Sequence, residues 1–256
     1  MSQDDHLLAD LESGAARAAC PDPAAPGGWR VDGELRSAIL ARFARKELAD
    51  TSAGGAFHFR DRAALPPRAG VPDGVRIVPG GTVIRAGAHL GRGVVVMPPS
   101  YVNIGAWIGP DTMIDSHVLV GSCAQIGARV HLAAGVQVGG VLEPPGARPV
   151  IVEDDAFVGG LSGLFDGVLV GSRAVIGAGV ILTGTSRLYD LTTDQVLHGT
   201  PAAPLSVPSG AVVVPAVHRA PGSFAEQHGI GLVAAAIVKY RDARTDARVA
   251  LEAALR

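Results

Sequence analysis

Aliphatic residues recur at every sixth position along most of the chain. Stepping by six from Val78 gives Ile84, Leu90, Val96, Val102, Ile108, Ile114, Val120, Ile126, Leu132 and Val138. The period breaks at Glu143-Pro144-Pro145-Gly146, resumes through Val152, Val158, Leu164, Val170, Ile176 and Leu182, and closes on Val207 and Val213. The residue four places after each aliphatic is mostly small or β-branched, as at Thr82, Ala88, Ala106, Thr112, Val118, Ala124, Ala156, Ser162 and Ala174. The residue directly after it is often glycine, as at Gly91, Gly109, Gly121, Gly127, Gly159, Gly171 and Gly177. A six-residue period held this long predicts a solenoid in which each hexad forms one side of a triangular prism and three hexads complete a coil. The aliphatic points inward, the small residue fits the narrow space beside it, and glycine is expected to relieve the backbone at the corners. A sandwich could imitate a few hexads, but its turns would not keep one register throughout.

Each coil buries its face against the next, so the ends of such a stack need caps. Upstream, Leu35, Ile39, Leu40 and Phe43 have helical spacing after Asp32-Gly33-Glu34, with Arg36, Arg42, Arg45 and Lys46 expected on the surface. Asp4 to Leu11 suggests a short helix, and Pro21 to Gly28 a linker. Downstream, Thr183 to Ser206 is a longer excursion, Gly231 to Val238 suggests a strand packed on the coil, and Thr245 to Arg256 a helix. The expected fold class is mainly β: a left-handed parallel β-helix of hexapeptide repeats with a small N-terminal helical cap and a C-terminal strand/helix extension. The expected divisions are an acidic tail and linker at 1–29, a helical cap at 30–75, the β-helix at 76–216 and a C-terminal extension at 217–256.

Composition agrees with thin, closely spaced layers: 48% of the 256 residues are hydrophobic, only 4% are aromatic, and 34 are glycine. A formal charge of −2 gives no reason to expect a nucleic-acid partner. Cys20 and Cys123 are far apart and not in metal-binding spacing, which fits a reducing compartment. The start of the chain lacks the pattern of a signal peptide and no segment reaches membrane-spanning length, so a cytoplasmic protein without membrane attachment is expected.

Several segments carry a resemblance: Arg76-Ile77-Val78-Pro79, Met97 to Ala106, Val120 to Gly127, Gly139 to Pro144, Ser186-Arg187-Leu188-Tyr189-Asp190 and Ala236-Ile237-Val238-Lys239. In this order, over roughly residues 30 to 256, the chain resembles the tetrahydrodipicolinate N-succinyltransferases, as a divergent member. The resemblance implies a homotrimer with active sites between neighbouring prisms, and transfer of an acyl group from succinyl-CoA to 2-amino-6-oxopimelate or its cyclic form, in the diaminopimelate and lysine route. It implies that Arg76 and Asp115 hold the substrate, with Asp115 helping to deprotonate or orient the amine. Coenzyme A is expected along the later coils, near Gly177-Ala178-Gly179 and the Thr183 to Pro208 region. No metal is expected.

The residues support parts of this chemistry independently. Acyl transfer from a thioester to an amine needs a neutral nitrogen, an acceptor for its proton and donors for the oxyanion. Asp115 stands after Ile114, where the repeat favours glycine, so a carboxylate there departs from packing needs; the alternative is a solvated corner aspartate. Arg76 is suited to bidentate carboxylate binding, or is a surface arginine. Asn103 could donate to a ligand or bond along the coils.

Three positions depart from the family pattern: His117 stands where tryptophan is usual, Gly163 where a glutamate assists the base, and Leu161 where an arginine is usual. His117 could serve as the base or merely fill the tryptophan's place, and Asp166 is a weaker candidate. These departures suggest a related acceptor or donor, acetyl-CoA among them, in a specialised amino-acid or antibiotic pathway. Two other classes compete with this one. A metal-dependent lyase would need His89, His117 and His131 to converge, although they occupy different hexad positions; a catalytically silent trimeric scaffold would follow from the missing glutamate.

Overall fold

The computed structural model describes residues 3–55, 57–144 and 146–246. Two-residue strands from β5 (Arg76–Ile77) to β21 (Ile181–Leu182), later joined by β24 (Ser206–Val207) and β25 (Ala211–Arg219), form the three parallel faces of a left-handed β-helix. They are named here for one outward residue each. On the Tyr101 face, Val83, Tyr101, Leu119, Gln137, Gly163 and Ile181 stack in register; on the Trp107 face, His89, Trp107, Gln125, Ile151, Leu169 and Ser206 do so. The Met113 face stacks Arg76, Val95, Met113, His131, Phe157, Val175 and Val212. The intervening aliphatics, among them Ile108, Ile114, Ile126 and Leu132, point inward and are fully buried, each contributing about 1.5–3 kcal/mol.

Two details of the repeat differ from expectation. Ile77, not Val78, pairs with Val96 and faces the core, so the first coil holds one extra residue, accommodated at Gly80 and Gly81, both with positive φ. The glycines following the inward aliphatic are not the left-handed corner residues either. A Cβ on Gly109 would lie 2.5 Å from the carbonyl carbon of Gly127 in the next coil, so these glycines are required by coil-to-coil approach. The left-handed residue comes two places later, where Asp111, His117, Cys123 and Arg129 all have φ near +60°.

The N-terminal segments are packed onto the prism rather than trailing from it. Helix α1 (Gln3–Ser13) buries Leu11 against Ile104 and Ile39. The segment expected as a linker is a turn between β1 (Ala19–Pro21) and β2 (Trp29–Val31), which pair antiparallel and lie on Ile151 and Leu169 of the Trp107 face. Arg17 is held over the Trp107 ring, 4.2 Å from its centroid, and its Nε donates to Gln125 Oε1 at 2.7 Å. Helix α2 (Gly33–Ala44) starts at Asp32, whose side chain accepts from the Leu35 N–H, a satisfied N-cap. Arg36 and Arg42, expected on the surface, are buried instead. Arg36 donates to the carbonyls of Val141 and Ala147 in the loop that breaks the repeat, and Arg42 to Ala64 O at 2.8 Å; buried carbonyls outside the ladders need donors, and these draw the guanidiniums inward.

At the other end, β22 (Arg187–Asp190) and β23 (Gln195–His198) make the hairpin of the long excursion. Strand β26 (Gly231–Tyr240) pairs with both β22 and β25, closing the stack as the apolar run suggested. The helix expected over Thr245–Arg256 lies, from residue 247 on, outside the described residues.

Candidate functional site

The chain passes from the Met113 face to the Tyr101 face through a series of corners, and Asp115, Ser116 and His117 form one of them. Asp115 follows the inward Ile114, so its side chain projects from the Met113 face, half-buried. One carboxylate oxygen, Oδ1, accepts from the Ser116 N–H at 2.8 Å. The other, Oδ2, lies 3.9 Å from Nε2 of His131, one coil further on. Around this pair the face is apolar, with Val95, Met97, Met113, Phe157 and Val175 all partly exposed. A carboxylate in such surroundings interacts more strongly with a cation than one in open water.

His117 has φ +62°, is exposed and turns to the other side of the corner. Its backbone is fixed: the N–H donates to Pro99 O at 2.7 Å, and its carbonyl accepts from Gln137 Nε2 at 3.3 Å. The ring lines a groove of about 320 Å³ with Tyr101, Pro99, Leu119 and Gln137. This groove shares Val83 and Tyr101 with a cavity of about 720 Å³ that is also lined by Thr51 and Ala53, which follow β3 (Leu48–Asp50), and by Arg60 and Asp61 of β4 (Arg60–Arg62). Asp115 and His117 therefore flank one corner without lining the same groove.

Arg76 is exposed in the same outward stack as Met113 and makes no side-chain hydrogen bond or ion pair with the described residues. Two coils separate it from Asp115, about 10 Å at the usual strand spacing. Asn103 is committed locally: its Oδ1 accepts from the Ile104 N–H at 2.9 Å and from the Tyr101 hydroxyl at 3.4 Å. Gly177-Ala178-Gly179 occupies a later corner of the same edge, where Ala178 and Gly179 are exposed. The space for a side chain at Gly163 is filled by Phe165, whose ring would lie 2.5 Å from an added Cβ. Leu161 stands 75% exposed on that same edge, and Asp166 is exposed in the turn beyond Phe165.

Two contributors escaped the sequence reading. Ser100 Oγ is within 2.8 Å of Met97 O and 2.9 Å of Asp115 O, and accepts from the Val118 N–H at 3.2 Å, so it props the corner that carries Asp115 and His117. From the sequence His131 is a candidate only as a metal ligand. The 18-residue coil carries the signal for both: Ser100 falls under Val118, and His131 over Met113, diagonal to Asp115.

The three histidines do not converge. His89 is stacked on Trp107 at 3.8 Å, with Nδ1 3.0 Å from Glu12 O, and burial lowers its pKa; His117 lies at a corner and His131 on the Met113 face. Among the described residues no three His, Cys, Asp or Glu side chains form a metal-binding group, and no helix is long and apolar enough to cross a membrane.

Residues 149–184 match the family model described as the hexapeptide repeat of succinyl-transferase. The 2,3,4,5-tetrahydropyridine-2,6-dicarboxylate N-succinyltransferase of Idiomarina loihiensis is 42% identical over 98% of this chain and 87% of its own length. The enzyme of that name from Acinetobacter baylyi is 39% identical over 98% and 88%. In structure, a Campylobacter jejuni protein described as a 2,3,4,5-tetrahydropyridine-2-carboxylate N-succinyltransferase superposes with a TM-score of 0.57 at 16% identity, covering 97% of this chain. This chain spans 64% of that longer one, and at such identity the likeness concerns the fold.

Proposed function

The chain belongs to the 2,3,4,5-tetrahydropyridine-2,6-dicarboxylate N-succinyltransferase family, and from that premise we propose that it succinylates the amino group of 2-amino-6-oxopimelate, or a close amino-dicarboxylate, with Asp115 as the group that receives the amine. The protein is an acyl-CoA-dependent N-acyltransferase. The amine attacks the thioester carbonyl, the C–S bond breaks, a proton leaves nitrogen and coenzyme A departs as the thiol. The observation that carries this reading is Asp115 itself, a half-buried carboxylate on an apolar face with one oxygen fixed by backbone and the other turned outward. It suits an ammonium that must be held and then relieved of a proton. Arg76, unpaired and about 10 Å along the same face, suits the distal carboxylate of an elongated substrate.

A homotrimer, with each Met113 face covered by a neighbouring prism, is part of the proposal. The partly exposed apolar side chains around Asp115 support it. So is a cytoplasmic setting, in keeping with free Cys20 and Cys123. The acyl chain and coenzyme A are assigned to the edge that carries Gly177-Ala178-Gly179, where Ala178 and Gly179 are exposed. A changed acceptor is the second reading, favoured by Phe165 occupying the space at Gly163 and by the exposed Leu161.

Thiol release tests both. With 2-aminopimelate or tetrahydrodipicolinate, turnover on succinyl-CoA supports the proposal. Turnover on acetyl-CoA alone assigns a different donor, and silence with both donors while another amino acid is acylated establishes the changed acceptor. Silence with every acceptor defeats the assignment of Asp115.

A further inference from the structure

We propose that His131 is a positioning residue for this reaction: it holds the outward oxygen of Asp115 by donating from Nε2, so that the carboxylate meets the amine in one orientation. The inference rests on the function proposed above, and it adds a residue that the sequence had offered only as a metal ligand.

Three observations lead to it. First, the geometry of the carboxylate leaves one oxygen to be aimed. Oδ1 is taken by the Ser116 N–H at 2.8 Å, and Oδ2 faces His131 Nε2 at 3.9 Å. That separation is beyond hydrogen-bond length, and catalytic hydrogen bonds are often long before substrate binds. Second, the imidazole is not free to turn elsewhere. Its side chain is 10% exposed, and the ring stands edge-on to Phe157, 5.1 Å between centroids at 84°. Third, packing alone does not call for an imidazole there. The neighbours in the outward stack are Val95, Met113, Phe157 and Val175, so a histidine takes a place where the face is otherwise apolar. A polar ring buried in such a stack carries a desolvation penalty that its apolar neighbours do not offset.

The proton balance is simple. His131 keeps its Nε2 proton throughout, while the proton leaving the amine passes to the Asp115 carboxylate and then to solvent or the departing thiolate. Losing His131 leaves the nucleophile's partner present but poorly aimed, which lowers the rate of the chemical step more than the binding of either substrate.

The test uses the full-length protein and four variants: His131→Leu, His131→Gln, Asp115→Asn and the Asp115→Asn/His131→Leu double. Each is first shown to retain the oligomeric state and circular dichroism of the parent. With the acceptor on which the parent turns over, His131→Leu is expected to lower kcat 10- to 100-fold with the KM of acyl-CoA within twofold. His131→Gln, which returns an amide donor near the Nε2 position, recovers at least a fifth of the lost rate, and the double variant is no slower than Asp115→Asn. An unchanged kcat in folded His131→Leu, equal rates for the Leu and Gln variants, or a double variant whose losses multiply would overturn the proposal. Should the parent acylate nothing, the function reading fails separately, and the pair is judged by nitrogen NMR of the His131 ring. Signals that shift between parent and Asp115→Asn uphold the contact, and signals that do not shift reject it.

Discussion

Ser100→Ala tests whether the corner bearing Asp115 and His117 is held from inside the prism. The hydroxyl is buried, lies 2.8 Å from Met97 O and 2.9 Å from Asp115 O, and accepts from the Val118 N–H at 3.2 Å. Alanine removes the acceptor for a buried N–H and the proton shared between two carbonyls. Val118 is itself buried, so water does not replace the contact. One orphaned buried donor costs about 1–3 kcal/mol, and ~2 kcal/mol corresponds to a fall in Tm of about 4–8 °C for a chain near this length.

The control is Thr112→Val, which deletes the equivalent hydroxyl at the corner between the Trp107 and Met113 faces. There Thr112 Oγ1 donates to Gly127 O at 2.8 Å and accepts from Val130 N at 3.1 Å. Both variants are expected to lose similar stability by differential scanning calorimetry, but only Ser100→Ala to lose about tenfold or more in kcat, because small displacements of an aimed group are expensive in rate. If Ser100→Ala melts with the parent, or if the two variants lose activity equally, the propping role is wrong.

Further outcomes follow from the same geometry. Gly109→Ala places a methyl 2.5 Å from the backbone of the next coil, so Tm falls by several degrees, whereas a glycine needed only for turning would tolerate alanine at its ordinary φ; calorimetry decides. Gly163→Glu collides with the Phe165 ring, 2.5 Å from the added Cβ, so its destabilisation shrinks when Phe165→Ala is added, and simple additivity of the two melting shifts would reject the contact. Asp190 is held at a pKa of about 2 by the Thr192 hydroxyl and N–H and by Tyr240 Oη at 2.9 Å. Because the folded value is depressed from 3.8, its contribution is full above that pH and is lost as pH falls toward 2. Asp190→Asn therefore differs from the parent in urea unfolding at pH 7, and the difference narrows below pH 4; a gap independent of pH would refute it. Burial pushes the Cys123 thiol up to about 11, so in the folded protein at pH 8 Cys20 is alkylated first, as mass spectrometry of labelled peptides will show.

The solenoid was legible in the sequence because its cause is local and repeated. Each hexad must offer one aliphatic to a narrow interior, and that demand writes itself into the chain every six residues, from Ile84 to Val138 and again from Val152 to Leu182. The same arithmetic placed Asp115 outward at a position where packing does not favour a carboxylate. What the tertiary structure decided depends on neighbours distant in sequence. The extra residue at Gly80-Gly81 shifts the inward place from Val78 to Ile77, since pairing with Val96 is set by the second coil. Arg36 and Arg42 are drawn inside by loop carbonyls more than twenty residues away, and the Pro21–Gly28 segment becomes a turn because the strands beside it find Ile151 and Leu169. The repeat glycines serve the distance between coils, which no single coil reveals. The approach of His131 to Asp115 likewise exists only once two coils stack, bringing residues sixteen apart in the chain to 3.9 Å across one face.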